Sequence, residues 1–116
     1  MRRALDRCPG LQYHRIELRM ALSDGFPDLM LAHTDIGVFF VENKFGHDLR
    51  EWRPNQRRWA KNKEAIGVKC FVFVANETQS WLVRSKDHFD HDKIVKPLLV
   101  CNKSIDPIVL MNSFML

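Results

Sequence analysis

The spacing of apolar and polar positions is strand-like along most of the chain and takes a helical period over one stretch, and most of the architecture follows from that contrast. Residues 11–20 (LQYHRIELRM), with Tyr13 and Ile16, read as a strand, a helix being the alternative. Ser23-Asp24-Gly25 signals a turn. Residues 27–33 (PDLMLAH) open on a proline, which a first or edge position of a strand tolerates because no ladder N–H is needed there. Thr34 to Gly37 is short enough for a hairpin connection. Residues 37–45 (GVFFVENKF) are rich in the β-branched and aromatic side chains that suit a pleated surface.

The period then lengthens. Trp52, Gln56, Trp59, Ala60, Lys63 and Ile66 recur at three- and four-residue spacing, which predicts a helix over 53–66 with these residues on one face. Pro54 suits the first helical turn, and Gly67 suits the position just past the last. Residues 68–75 (VKCFVFVA) are apolar without alternation, as in a strand covered on both faces. A turn at 76–79 leads to a short strand over 80–85 (SWLVRS). From Lys93 onwards apolar pieces are interrupted by Pro97 and Pro107, and the pattern assigns them no element. The order predicts an α/β (α+β) fold, a central mixed sheet with flanking helices, in which helix 53–66 is long enough to cross between parallel strands. No repeat or linker divides the sequence, so residues 1–116 read as a single domain.

Composition narrows the setting. With 46% apolar and 28% charged residues the chain is ordinary for a globular protein, which excludes wholesale disorder. No apolar run reaches the roughly 18 residues of a membrane span, and the first ten residues (MRRALDRCPG) lack the apolar core of a secretory signal. Cys8, Cys70 and Cys101 are odd in number and far apart, which fits reduced thiols in a cytoplasm.

Charge adds a candidate partner. The net charge is +4, and the excess is concentrated at residues 50–63, where Arg50, Arg53, Arg57, Arg58, Lys61 and Lys63 face Glu51 alone. Such a stripe can neutralise the phosphates of a nucleic acid and release counterions; the alternative is a solvated helix face.

The candidate chemistry lies at strand ends. Side chains alternate along a strand, so Glu42 and Lys44 share one face while Asn43 points away. If the two strands pair across the turn near Asp35, Asp28 approaches Glu42. Two carboxylates that close repel, and one protonates unless a cation lies between them. A hard divalent ion such as Mg²⁺, or Mn²⁺ with the same oxygen preference, would relieve the conflict, with the Asn43 backbone carbonyl as a further ligand. Lys44 would then support negative charge growing on a phosphate, an arrangement suited to phosphodiester hydrolysis. The alternative is an exposed Glu42–Lys44 ion pair, worth little. Gln56 lies on the packed helix face, where a polar amide needs partners; the carboxylate end of the sheet offers them, unless Gln56 is simply a boundary residue of the first turn.

Gly25-Phe26-Pro27-Asp28-Leu29, then Val41-Glu42-Asn43-Lys44, then Leu49 and Gln56 in a basic helix resemble the PD-(D/E)XK nuclease superfamily. Within it the chain is most similar to the small single-domain VRR-NUC and Holliday-junction-resolvase-like nucleases of phages and bacteria, over roughly residues 13 to 84. The resemblance implies a restriction-endonuclease-like core and a metal-dependent DNA endonuclease, acting on branched DNA or junctions as a homodimer. Asp28 and Glu42 would be metal ligands, Lys44 the catalytic lysine, and Gln56 the accompanying helix glutamine. The family pattern often adds an upstream acid, for which Glu17 is the candidate metal ligand, on a strand here where relatives place it on a helix. Arg50, Arg53, Arg57, Arg58 and, less directly, Lys61 are the candidates for DNA-backbone contacts, which position DNA without reading it. A chain that kept the fold without catalysis, as a nucleic-acid-binding module, is the rival reading.

Other signals carry less. His88 and His91 have a spacing seen in metal sites, but the three surrounding aspartates and the lack of a further Cys or His pair favour a solvated acidic loop over zinc. His47 reads as a polar loop residue and Cys70 as core. Trp59 should pack in the core, whereas Trp52 is more open and could stack on unpaired bases. The apolar stretches 94–100 and 108–116 either form a dimer surface or pack on the protein's own core.

Overall fold

A computed structural model describes residues 2–16, 25–45, 52–89, 97–102 and 105–116. Six strands form one mixed sheet whose spatial order is the chain order: β1 (Leu11–Arg15), β2 (Leu29–His33), β3 (Gly37–Phe45), β4 (Cys70–Ala75), β5 (Ser80–Arg84) and β6 (Leu99–Cys101). All neighbours are antiparallel except β3 and β4, which run parallel. Parallel strands need a crossover, and helix α2 (Pro54–Ala65) lies between them in sequence. Helices α1 (Arg2–Asp6) and α3 (Pro107–Phe114) complete the fold. The mixed sheet with flanking helices is the fold class that the sequence implies.

Alternation sorts the sheet into two faces. Leu29, Leu31, Phe39, Val41, Phe71 and Phe73 pack with Leu5 of α1 and with Leu110, Met111 and Phe114 of α3. Phe40, Val72, Val74 and Val83 meet Ala60 of α2, together with Trp52 and Phe89. Strand β4 contributes to both layers, which is why residues 68–75 show no alternation.

Local chemistry sets the helix ends. Gly67, at φ +87°, carries the chain out of α2 while its N–H and that of Val68 donate to the Glu64 and Lys63 carbonyls. Asp106 caps α3 by accepting from the N–H groups of Ile108 and Val109, with Pro107 in the first turn. At the other end the Lys69 ammonium donates to the Phe114, Met115 and Leu116 carbonyls. Pro107 thus starts a helix where the sequence pattern showed only an interruption. Glu64 and Arg84 form an ion pair at 2.6 Å that ties α2 to β5, and Glu64 also accepts from the Cys70 N–H.

Three expectations change. The first strand ends at Arg15, and residues 17–20 of the predicted strand lie outside the described residues. Strand β2 begins at Leu29, leaving Pro27 and Asp28 just before it. Ile66 is 73% exposed instead of packed, because the helix has ended at Ala65 and the chain turns back to the sheet at Gly67. In the C-terminal stretch Leu110, Met111 and Phe114 pack on the protein's own core. Among the described residues no helix is long and apolar enough to cross a membrane.

Phe114 is fully buried against the Phe39 and Phe71 rings, at centroid distances of 4.8 and 5.1 Å. Truncation there opens a cavity, so Phe114→Ala should cost about 3–5 kcal/mol in urea unfolding. Ile66→Ala at the exposed helix end should stay within about 0.5 kcal/mol of wild type.

Candidate functional site

The β2–β3 register ends at Leu29 opposite Val41, so one step further sets Asp28 opposite Glu42. Leu29 and Val41 point to the α3 layer, and alternation therefore turns Asp28, Glu42 and Lys44 towards α2. Asp28 is held at both ends. Its carbonyl accepts from Ile16 N–H at 2.8 Å, and its Oδ2 accepts from Asn43 N–H at 2.7 Å.

Helix α2 delivers the fourth group. Gln56 is buried beside Glu42 and donates from Nε2 to Glu42 Oε2 at 3.1 Å. Its Oε1 accepts from the Arg53 N–H at 3.1 Å and from Lys44 Nζ at 3.3 Å. One amide thus caps its own helix and joins the acid to the amine. The helix can come this close because of Gly25: at φ +78°, a Cβ on it would lie 2.4 Å from the Asn55 carbonyl oxygen and 2.9 Å from Gln56 N. The turn signal at Ser23-Asp24-Gly25 does not by itself reveal this close approach. The signal for the second role of Gly25 is its place three residues before Asp28, where strand and helix converge.

Burial pushes the Glu42 carboxyl up to about 9, helped by its hydrogen bond to Asp28 and by the Asp28 charge, and opposed by Lys44 and Arg53. Glu42 raised in this way keeps its proton at neutral pH and is the donor in that hydrogen bond. The donor set is hard carboxylate oxygen, and a divalent cation between the two acids would replace that proton; the residues fit such an ion. Among the described residues no group of three or more His, Cys, Asp or Glu is positioned to hold a metal, and Glu17 lies outside them.

The remaining candidates separate. Arg53 is half-buried at the start of α2 and near enough to Glu42 to favour its charge. Arg57 is half-buried and donates to the Phe89 carbonyl at 2.9 Å. Arg58 and Lys61 are exposed, with Lys61 5.7 Å from the centroid of the Phe89 ring. Arg50 and His47 lie outside the described residues, as does His91. Cys70 is a core thiol, pushed up to about 12 chiefly by burial.

Two expectations are overturned here. Trp52 is not open to bases but buried, its Nε1–H donating to His88 Nδ1 at 2.7 Å. His88 is itself 1% exposed, not part of a solvated loop, because Ser85–Asp87 form a single 3₁₀ turn that folds it beneath Trp52. Trp59 is half-buried between Phe26 and Phe40, with ring centroids at 5.1 and 4.7 Å.

Neither models of known protein families nor curated proteins match the sequence. Among solved structures the chain is similar to Hjc, a Holliday junction resolvase from the archaeal hyperthermophile Archaeoglobus fulgidus, with a TM-score of 0.51 and 12% identity over 90% of this chain and 88% of that one. At this identity the likeness is one of fold.

Glu42 binds its proton more tightly in the folded chain than in the unfolded one, where it titrates near 4.5. Its contribution to stability is therefore complete below about 4.5 and is lost as pH rises towards about 9. Urea unfolding in EDTA should show that decline. Glu42→Gln, which keeps both hydrogen bonds without the charge, should flatten it and gain on the order of 1–3 kcal/mol at pH 8. Gly25→Ala combines positive φ with a backbone clash and should cost on the order of 1–3 kcal/mol in the same assay.

Proposed function

We propose that this chain is a divalent-metal-dependent DNA endonuclease of the small VRR-NUC or resolvase type, acting on branched DNA such as four-way junctions. The observation that carries the reading is the meeting of Asp28 and Glu42 at the end of a hairpin, with Lys44 and Gln56 on the same face. The fold shared with a Holliday junction resolvase supports the substrate class.

Asp28 and Glu42 would hold Mg²⁺ or Mn²⁺, together with the Asn43 carbonyl and Glu17. In an extended strand the N–H and C=O of one residue face the same neighbour, so the Asn43 N–H that reaches Asp28 implies a carbonyl turned to that side. When bound, such an ion polarises the phosphate and makes a water nucleophilic at neutral pH. Lys44 stabilises the charge that develops on the phosphoryl oxygens as the P–O bond breaks. Gln56 holds Glu42 and Lys44 in register, which fixes the distance between the acids and the ammonium. Arg53, Arg57, Arg58, Lys61 and Arg50 supply positive charge along the approach of the DNA backbone.

Selection would come from DNA shape and from pairing of two copies. Val100, Ile108 and Val109 remain exposed on β6 and α3 and offer an apolar surface for a second chain.

The test is cleavage of labelled four-way junction, flap, duplex, single strand and the RNA counterparts, in Mg²⁺, Mn²⁺ or EDTA. Junction or flap should be cut with metal and spared in EDTA. Lys44→Ala should lose on the order of 10²-fold or more in rate, and Asp28→Ala at least as much. Salt-sensitive binding without cleavage in either metal would instead identify a binding module, and equal cutting by wild type and Lys44→Ala would remove the lysine from the mechanism.

A further inference from the structure

The Lys44 ammonium has a second neighbour besides Gln56. Its Nζ lies 5.0 Å from the centroid of the Trp52 ring, whose electron-rich face attracts a cation. Trp52 in turn is fixed from two sides. The indole N–H can only donate, so its 2.7 Å bond to His88 Nδ1 requires that nitrogen to be unprotonated and places the ring proton of His88 on Nε2. Phe89 meets the indole edge-on, at 4.8 Å and 87°. The 85–89 segment that carries both residues is anchored to α2 by Arg57, which donates to the Phe89 carbonyl, and by Lys61 over the Phe89 ring. Packing alone would not require this arrangement, since an apolar side chain could fill the place of Trp52 without a buried polar partner.

We propose that Trp52, oriented by His88, is a positioning residue that holds the Lys44 ammonium against the Asp28–Glu42 pair. This deepens the nuclease reading and rests on it for its catalytic consequence. The indole face and the Gln56 carbonyl grip the lysine from two directions, so the charge is aimed before substrate arrives and little is lost in aligning it during reaction. His88 acts one step further out, setting the angle of the indole.

The placement can be read without any activity. In protein labelled at lysine, the Lys44 methylene signals, assigned with Lys44→Arg, should be shifted upfield by the indole ring current. They should return towards ordinary lysine positions in Trp52→Leu and His88→Leu. His88→Gln supplies an acceptor for the indole N–H and should restore most of the shift. In junction cleavage the two leucine variants should lose about 10- to 100-fold in kcat with KM for DNA unchanged, since misplacement of a reacting group by about 1 Å carries that cost. Should the leucine variants not fold, Trp52→Phe keeps a ring without the N–H and should show an intermediate shift.

A Lys44 shift and kcat at wild-type values in His88→Leu would overturn the proposal. So would a His88→Gln no better than His88→Leu, or an unchanged shift in Trp52→Phe. The two readings fail separately: wild-type protein that cleaves no branched DNA ends the nuclease reading, whereas the ring-current comparison still decides whether Trp52 and His88 place the lysine.

Discussion

Two carboxyl groups that face each other across a hairpin, one of them almost wholly removed from water, are the constraint around which this molecule is arranged. Asp28 and Glu42 cannot both ionise comfortably there, and burial decides which keeps its proton. Polar groups among the described residues answer that conflict in part. Asn43 gives a backbone N–H to Asp28, Gln56 gives an amide N–H to Glu42, and Lys44 and Arg53 bring positive charge. A site so composed is costly to the fold, since it keeps two acids close together and one of them out of water.

Helix α2 reconciles packing with chemistry. Ala60 and Trp59 seal it to the sheet, while Gln56, one turn earlier, crosses from core to site. Its approach depends on Gly25, whose missing side chain lets the Asn55 and Gln56 backbone lie almost against the chain leading into Asp28. On the far side of the site the 85–89 segment closes over Trp52, so the lysine lies between the Gln56 carbonyl of α2 and an indole that this segment holds. The basic residues of α2 divide accordingly. Arg57 and Lys61 hold this scaffold together, and Arg58 is turned to solvent.

Most of the sheet was legible because period and composition are local properties. The β-branched and aromatic composition of β3, the unbroken apolar run of β4, and the Pro54 and Gly67 boundaries of α2 each follow from rules that involve neighbours in sequence only. The pairing of Asp28 with Glu42 was legible for the same reason, since a short hairpin has few registers. Helix α3 was not. Asp106-Pro107 is a helix start by capping chemistry, but its apolar residues span only two turns, and a proline among short apolar pieces marks a break as readily as a first helical turn.

The amino-acid sequence by itself determined that Glu42 and Lys44 share one face of β3, because side-chain alternation needs no partner. The tertiary structure alone decided the environment of those residues. That Glu42 is starved of water, that Gln56 reaches it from 14 residues away, and that a histidine and a tryptophan 36 residues apart lock together beside Lys44 depend on separate elements meeting. Desolvation and long-range hydrogen bonds are properties of the packed whole, and no local pattern encodes them.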